Sequence, residues 1–102
     1  MLGFLQKLFG GTPVDYKDLI SRGAIIVDVR SQAEYKSGHI NGSKNYPLDS
    51  LRGKINDLKK LNKPVITVCL SGGRSGMAKN ILKASGIEVY NGGPWTSLRS
   101  KI

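Results

Sequence analysis

Two kinds of hydrophobic pattern alternate along this chain. Continuous apolar, largely β-branched runs occur at Ala24-Ile25-Ile26-Val27-Asp28-Val29 and at Val65-Ile66-Thr67-Val68-Cys69. Runs of this type predict strands buried on both faces, as in a parallel sheet. Ile87-Glu88-Val89-Tyr90 alternates and predicts a further strand, followed by a turn at Asn91-Gly92-Gly93-Pro94. Between them the spacing is helical. Val14 to Ile20 predicts a helix capped by Asp15, with Asp18 at its third position, Thr12-Pro13 as a rival start and Gly23 as its end. Ser31-Gln32-Ala33-Glu34 reads as a capping box opening a short helix that Gly38 closes. Leu48, Leu51, Ile55, Leu58 and Leu61 predict one amphipathic helix, interrupted only by Gly53. Met77, Ala78, Ile81 and Leu82 mark a helix ending at Gly86, and Trp95 to Ile102 a last one with Leu98 and Ile102 inward. Strands alternating with helices imply an α/β domain, a central parallel sheet with helices on both faces.

Residues 1–11 stand apart. Leu2, Leu5 and Phe9 have helical spacing, so this stretch is expected to be a tail or short amphipathic helix, set off by Gly10-Gly11 from a domain over 12–102. It lacks a basic region before its apolar residues and an Ala-x-Ala site, so it is not read as a signal peptide, and a cytoplasmic chain is expected. No apolar run approaches the roughly 18 residues of a membrane span.

Composition narrows the chemistry. The single cysteine, Cys69, rules out an internal disulfide, and with a single histidine, His39, no zinc site is expected. The formal charge is +9, but the lysines are spread along the chain and no aromatic stacking motif accompanies them. They read as solvated helix faces, or as a field drawing small anions or an acidic partner protein, and not as a nucleic-acid footprint. A monomer without cofactor or metal is expected.

Cys69 closes an apolar strand and precedes Leu70-Ser71-Gly72-Gly73-Arg74-Ser75, where a helix begins. In a parallel sheet, ligands bind beyond the carboxyl ends of the strands. A lone cysteine is commonly a small buried hydrophobe. At this position, however, turn amides, the helix dipole and the Arg74 guanidinium all favour a thiolate. His39 is distant in sequence, and nothing near it suggests a Cys–His pair.

Asp28-Val29-Arg30-Ser31-Gln32-Ala33-Glu34-Tyr35-Lys36-Ser37-Gly38-His39-Ile40-Asn41-Gly42-Ser43-Lys44-Asn45-Tyr46-Pro47-Leu48 resembles the first signature of rhodanese-like domains. Cys69 to Ser75 resembles their active-site loop. The resemblance spans residues 12 to 98. It implies a rhodanese-like fold and a sulfurtransferase that moves sulfane sulfur from thiosulfate or a persulfide, through a Cys69 persulfide, to a thiol or cyanide acceptor. Carried over, Cys69 is the nucleophile, the N–H groups from Leu70 through Ser71, Gly72 and Gly73 to Ser75 hold the persulfide, and Arg74 binds the donor's anionic end. Asp28, Arg30, Glu34 and His39 are expected to be structural support, with Arg30 pairing Glu34 one turn on and Asp28 bracing the loop through N–H bonds. Related phosphatases of the cell-cycle type carry one residue more between Cys and Arg, so the four residues between Cys69 and Arg74 favour sulfur transfer over a small phosphatase. A sulfur-relay or protein-interaction module with little small-molecule turnover remains the alternative. Trp95 follows Gly92-Gly93 sooner than the family pattern has it, and can be read as packing the last helix or as walling the active-site mouth. With no second basic residue in the loop, the donor stays open.

Overall fold

The structure, a computed structural model, describes residues 13–102. The expected helix over residues 2–9, and Thr12 of the rival start, lie outside the described residues. Helix α1 (Tyr16–Ser21) is capped by Asp15, whose carboxylate accepts from the Asp18 N–H. Strand β1 (Ile25–Asp28) follows, then α2 (Gln32–Ser37), opened by the full capping box between Ser31 and Glu34 and closed at Gly38. Strand β2 (Lys44–Asn45) leads into a 3-10 helix (Leu48–Lys54) and α3 (Ile55–Leu61). Strand β3 (Val65–Cys69) is buried at every position, and α4 (Gly73–Ala84) leaves the loop behind it. Strand β4 (Val89–Pro94) runs straight into α5 (Trp95–Arg99).

The sheet order is β2-β1-β3-β4, with all pairs parallel. Two apolar layers cover it. On one face Leu51, Leu58, Ala78 and Leu82 pack on Val27, Val65 and Cys69. On the other, Leu19 and Leu98 pack on Ile26, Ile66 and Val68. The successive residues of β1 and β3 thus serve opposite layers, which is why both strands read as unbroken apolar runs. Among the described residues no helix is long and apolar enough to cross a membrane.

Three expectations need correction. The single helix expected over Leu48–Leu61 is split: a 3-10 segment carries Leu51 into the core, and the α-helix begins only at Ile55. Pro47 precedes it without a side-chain cap, and Gly53 gives little support to continuous α geometry. Leu61, the last residue of α3, is 44% exposed and does not join the core. The expected strand over Ile87–Tyr90 begins two residues later and runs through the glycines expected to turn. The register slips between Thr67 and Val68, where Asn91 and Gly93 become the partners and Gly92 is left over. That is a bulge, and Gly93 has φ of +72°. A Cβ on Gly92 would stand 2.9 Å from Ile66 Cγ2 and 3.0 Å from the Thr67 carbonyl oxygen, so close approach explains a glycine there. Finally, Ile102 lies beyond α5 and is 39% exposed, while Leu98 alone of that pair is buried.

Candidate active site

Cys69 ends β3, and its side chain is buried at 1% exposure. Leu70 and Ser71 turn the chain outward, and Gly72 adopts φ of +106°, a conformation that favours glycine. This turn brings the Gly72 N–H back to 2.9 Å from Cys69 Sγ just where α4 starts. Ser75, on the first turn of α4, is fully buried and places its Oγ 3.3 Å from the sulfur. Burial pushes the Cys69 thiol up, but the Ser75 hydroxyl and the N–H groups of Ser75, Gly72 and Ser71 together hold it below its ordinary value. The sulfur therefore sits in a small nest of donors. Leu70 contributes no side chain to it, being 59% exposed.

A second set of polar residues starts at the end of β1. Asp28 and Arg30 are both buried and form a closed pair: Nε and Nη2 of Arg30 donate to Oδ1 and Oδ2 of Asp28 at 2.9 and 2.7 Å. Asp28 Oδ1 also accepts from the Arg30 backbone N–H at 3.0 Å, and Arg30 Nη2 donates to the Gly38 carbonyl at 2.7 Å. The expected Arg30–Glu34 pair is not formed. Arg30 reaches only the Glu34 backbone oxygen, at 3.4 Å, because Asp28 is nearer and buried with it. The Glu34 carboxylate turns instead to Arg74 and takes Nη1 and Nη2 at 2.7 and 2.9 Å. The Arg74 hydrogen bond, then that of the Ser31 backbone, draws Glu34 down to about 2. Arg74 is thus not an empty fork waiting for an anion, since two of its donors are already committed.

His39 is engaged elsewhere. Its Nδ1 lies 2.7 Å from the Tyr35 carbonyl and its ring stacks on Tyr35 at 3.8 Å, while the Cys69 sulfur is partnered by Gly72 and Ser75. Trp95 packs against the guanidinium groups of Arg30 and Arg99, at 4.8 and 4.7 Å, and against Gly38, where a Cβ would come to 3.2 Å from its ring. Trp95 therefore clamps the last helix onto the chain around Arg30.

Two residues near the sulfur escape a reading of the chain alone. Thr67 Oγ1 donates to the Ser75 carbonyl at 2.8 Å, tying β3 to α4 beneath the loop. Asn91 Oδ1 lies 2.7 Å from Ser75 Oγ and accepts from the Gly93 N–H at 2.9 Å. Thr67 looks like any β-branched strand residue, and Asn91 like turn chemistry. Only the polarity of Thr67 in the middle of an apolar run, and of Asn91 at the start of a glycine-rich one, was a signal.

Comparison with known proteins agrees with this fold. The profile of the family described as rhodanese-like domain matches residues 12–94. The chain is 39% identical over 71 residues to the uncharacterized protein YqhL of Bacillus subtilis strain 168, covering 69% of this chain and 56% of that protein. It is 35% identical over 81 residues to the thiosulfate sulfurtransferase GlpE of Ectopseudomonas mendocina strain ymp, covering 78% of this chain and 73% of that one. Among solved structures, a rhodanese with anions from E. coli superposes with a TM-score of 0.67 at 31% identity, covering 74% of this chain and 91% of that one.

Proposed function

The chain belongs to the rhodanese-like domain family, and from that membership we propose that it is a sulfurtransferase working through Cys69. The observation that carries this reading is the Gly72 N–H at 2.9 Å from a buried sulfur that also contacts the Ser75 hydroxyl. Donors fixed around a sulfur stabilise negative charge on it without any histidine.

In the proposed reaction the Cys69 thiolate attacks the sulfane sulfur of a donor. A new S–S bond forms as the donor's own bond to that sulfur breaks, and the leaving group, sulfite in the case of thiosulfate, departs with the electron pair. The terminal sulfur of the persulfide carries negative charge, which the N–H groups from Leu70 to Ser75 would hold. An acceptor, cyanide or a thiolate, then attacks the terminal sulfur, and Cys69 is released as the thiolate. Arg74 would meet an anionic donor with the N–H groups that Glu34 leaves free. Asp28 and Arg30 act as support by holding the chain from the end of β1 to Gly38, where the Asp28 carboxylate bonds Arg30 and not, as expected, the Cys69 loop. Glu34 acts by holding Arg74.

A second reading, a relay passing sulfur between proteins, is favoured by Leu70 and Met77. These apolar side chains, on the loop and on α4, are 59% and 58% exposed. A basic chain of net charge +9 would suit an acidic partner. Mass spectrometry after incubation with thiosulfate or a small persulfide distinguishes these readings. One added sulfur on Cys69, absent from C69S and released by cyanide, supports the enzyme. Loading only from a protein persulfide supports the relay, and no loading from any donor overturns both.

A further inference from the structure

The Ser75 hydroxyl has one proton and three neighbours able to accept it. Asn91 Oδ1 stands at 2.7 Å, the Gly72 carbonyl at 3.0 Å and Cys69 Sγ at 3.3 Å. The orientation of the Asn91 carboxamide is not arbitrary. The Gly93 N–H points at it from 2.9 Å and can only donate, so the atom facing both Gly93 and Ser75 is the oxygen. A carboxamide oxygen carries no proton, so the Ser75 hydroxyl must be the donor in the shorter contact. With its proton committed there, Ser75 Oγ is left as an acceptor, and the neutral Cys69 thiol donates to it.

Ionisation reverses that chain. A thiolate has no proton to give and needs donors. The only one the Ser75 side chain can offer is the hydroxyl proton it donates to Asn91 Oδ1. We propose that Asn91 is a positioning residue that sets how much thiolate Cys69 carries, because its oxygen competes with the sulfur for the single Ser75 hydroxyl proton. The competition has a consequence for turnover, resting here on the sulfur-transfer reading. In the free thiolate the hydroxyl turns to sulfur. In the persulfide the inner sulfur is uncharged and a weak acceptor, and the proton returns to Asn91. Asn91 thus favours the sulfur-loaded state over the free thiolate, while Gly72 serves both through its N–H.

Several other charged groups stand near the site: the Arg74 guanidinium from α4, Glu34 bonded to it, and the buried Asp28–Arg30 pair at the end of β1. All are unchanged by substitution at position 91, so a shift there reports the hydroxyl.

The test is the pH dependence of iodoacetamide alkylation. The chain's single cysteine makes it a one-site measurement, and it needs no sulfur donor, so its outcome is separate from that of sulfur loading. N91L removes the competing oxygen and is expected to raise the thiolate fraction at neutral pH about five- to tenfold, the scale of one ordinary net hydrogen bond. The gain should vanish in an S75A background. An unchanged or smaller thiolate fraction in folded N91L overturns the proposal. N91L also unpairs the Gly93 N–H, so N91D, which keeps the shape and the acceptor, gives a second reading. It should lower the thiolate fraction, and by clearly less when Ser75 is alanine. An equal loss with and without Ser75 would mean that the added charge acts alone, and would overturn the proposal independently of whether N91L folds.

Discussion

The carboxylate of Glu34 grips the guanidinium of Arg74 from forty positions away, oxygen to nitrogen at 2.7 and 2.9 Å. The same Glu34 completes the capping box of α2 with the Ser31 N–H at 3.1 Å. One side chain therefore caps one helix and holds the first turn of another, the turn that carries Ser75 beside the sulfur.

Glu34 titrates far below the usual carboxylate range, at about 2, so its pairing stabilises the folded chain fully only above its unfolded value and loses that effect as pH falls toward about 2. E34Q is expected to be less stable than the parent at pH 7, with the gap closing between about pH 4.5 and pH 2. Urea titrations of both proteins across that range read the difference. A gap of constant size would show that the carboxylate's charge plays no part.

The buried Asp28–Arg30 pair behaves differently, because no solvent replaces a missing partner. D28A leaves the Arg30 guanidinium in a site where its side chain is 3% exposed, and a loss of about 3–5 kcal/mol is expected in chemical denaturation. The loss should accompany a change in Trp95 fluorescence, since Arg30 packs on that ring at 4.8 Å.

Glycine positions in this chain should respond oppositely to alanine. A Cβ at Gly92 meets Ile66 Cγ2 at 2.9 Å and the Thr67 carbonyl at 3.0 Å, so G92A should destabilise by about 1–3 kcal/mol through displacement of β4 from β3. Gly53 has open space around its Cβ position, and G53A should stabilise by about 0.5–1 kcal/mol by restricting the unfolded chain. Thermal denaturation of the two variants in parallel is sufficient.

Removing the Ser75 hydroxyl takes away the side-chain donor nearest the sulfur. Burial of Cys69 then has fewer bonds opposing it, and S75A should move the alkylation midpoint upward by about one pH unit. S75T, which keeps the hydroxyl, should move it less. If S75A alkylates with the parent's pH profile, the backbone donors alone set the thiol.

Much of this protein was legible in one dimension. The runs at Ala24–Val29 and Val65–Cys69 determined a parallel sheet buried on both faces, because strands covered on each side have no place for alternating polar residues. The capping residues Asp15 and Ser31 act within three positions of themselves, so their local chemistry was also readable. The order of Cys69, Gly72, Arg74 and Ser75 placed a thiol at a strand end before a helix. What stayed hidden was every choice among distant partners. Sequence spacing offered Glu34 to Arg30, yet the fold gave Arg30 to Asp28 and Glu34 to Arg74, because burial and approach in space decide which charges can meet. Asn91-Gly92-Gly93-Pro94 carries turn residues, and only pairing with β3 showed that they form a bulged strand. That pairing sets the Asn91 oxygen against the Ser75 hydroxyl, a contact between residues sixteen positions apart that no local pattern encodes.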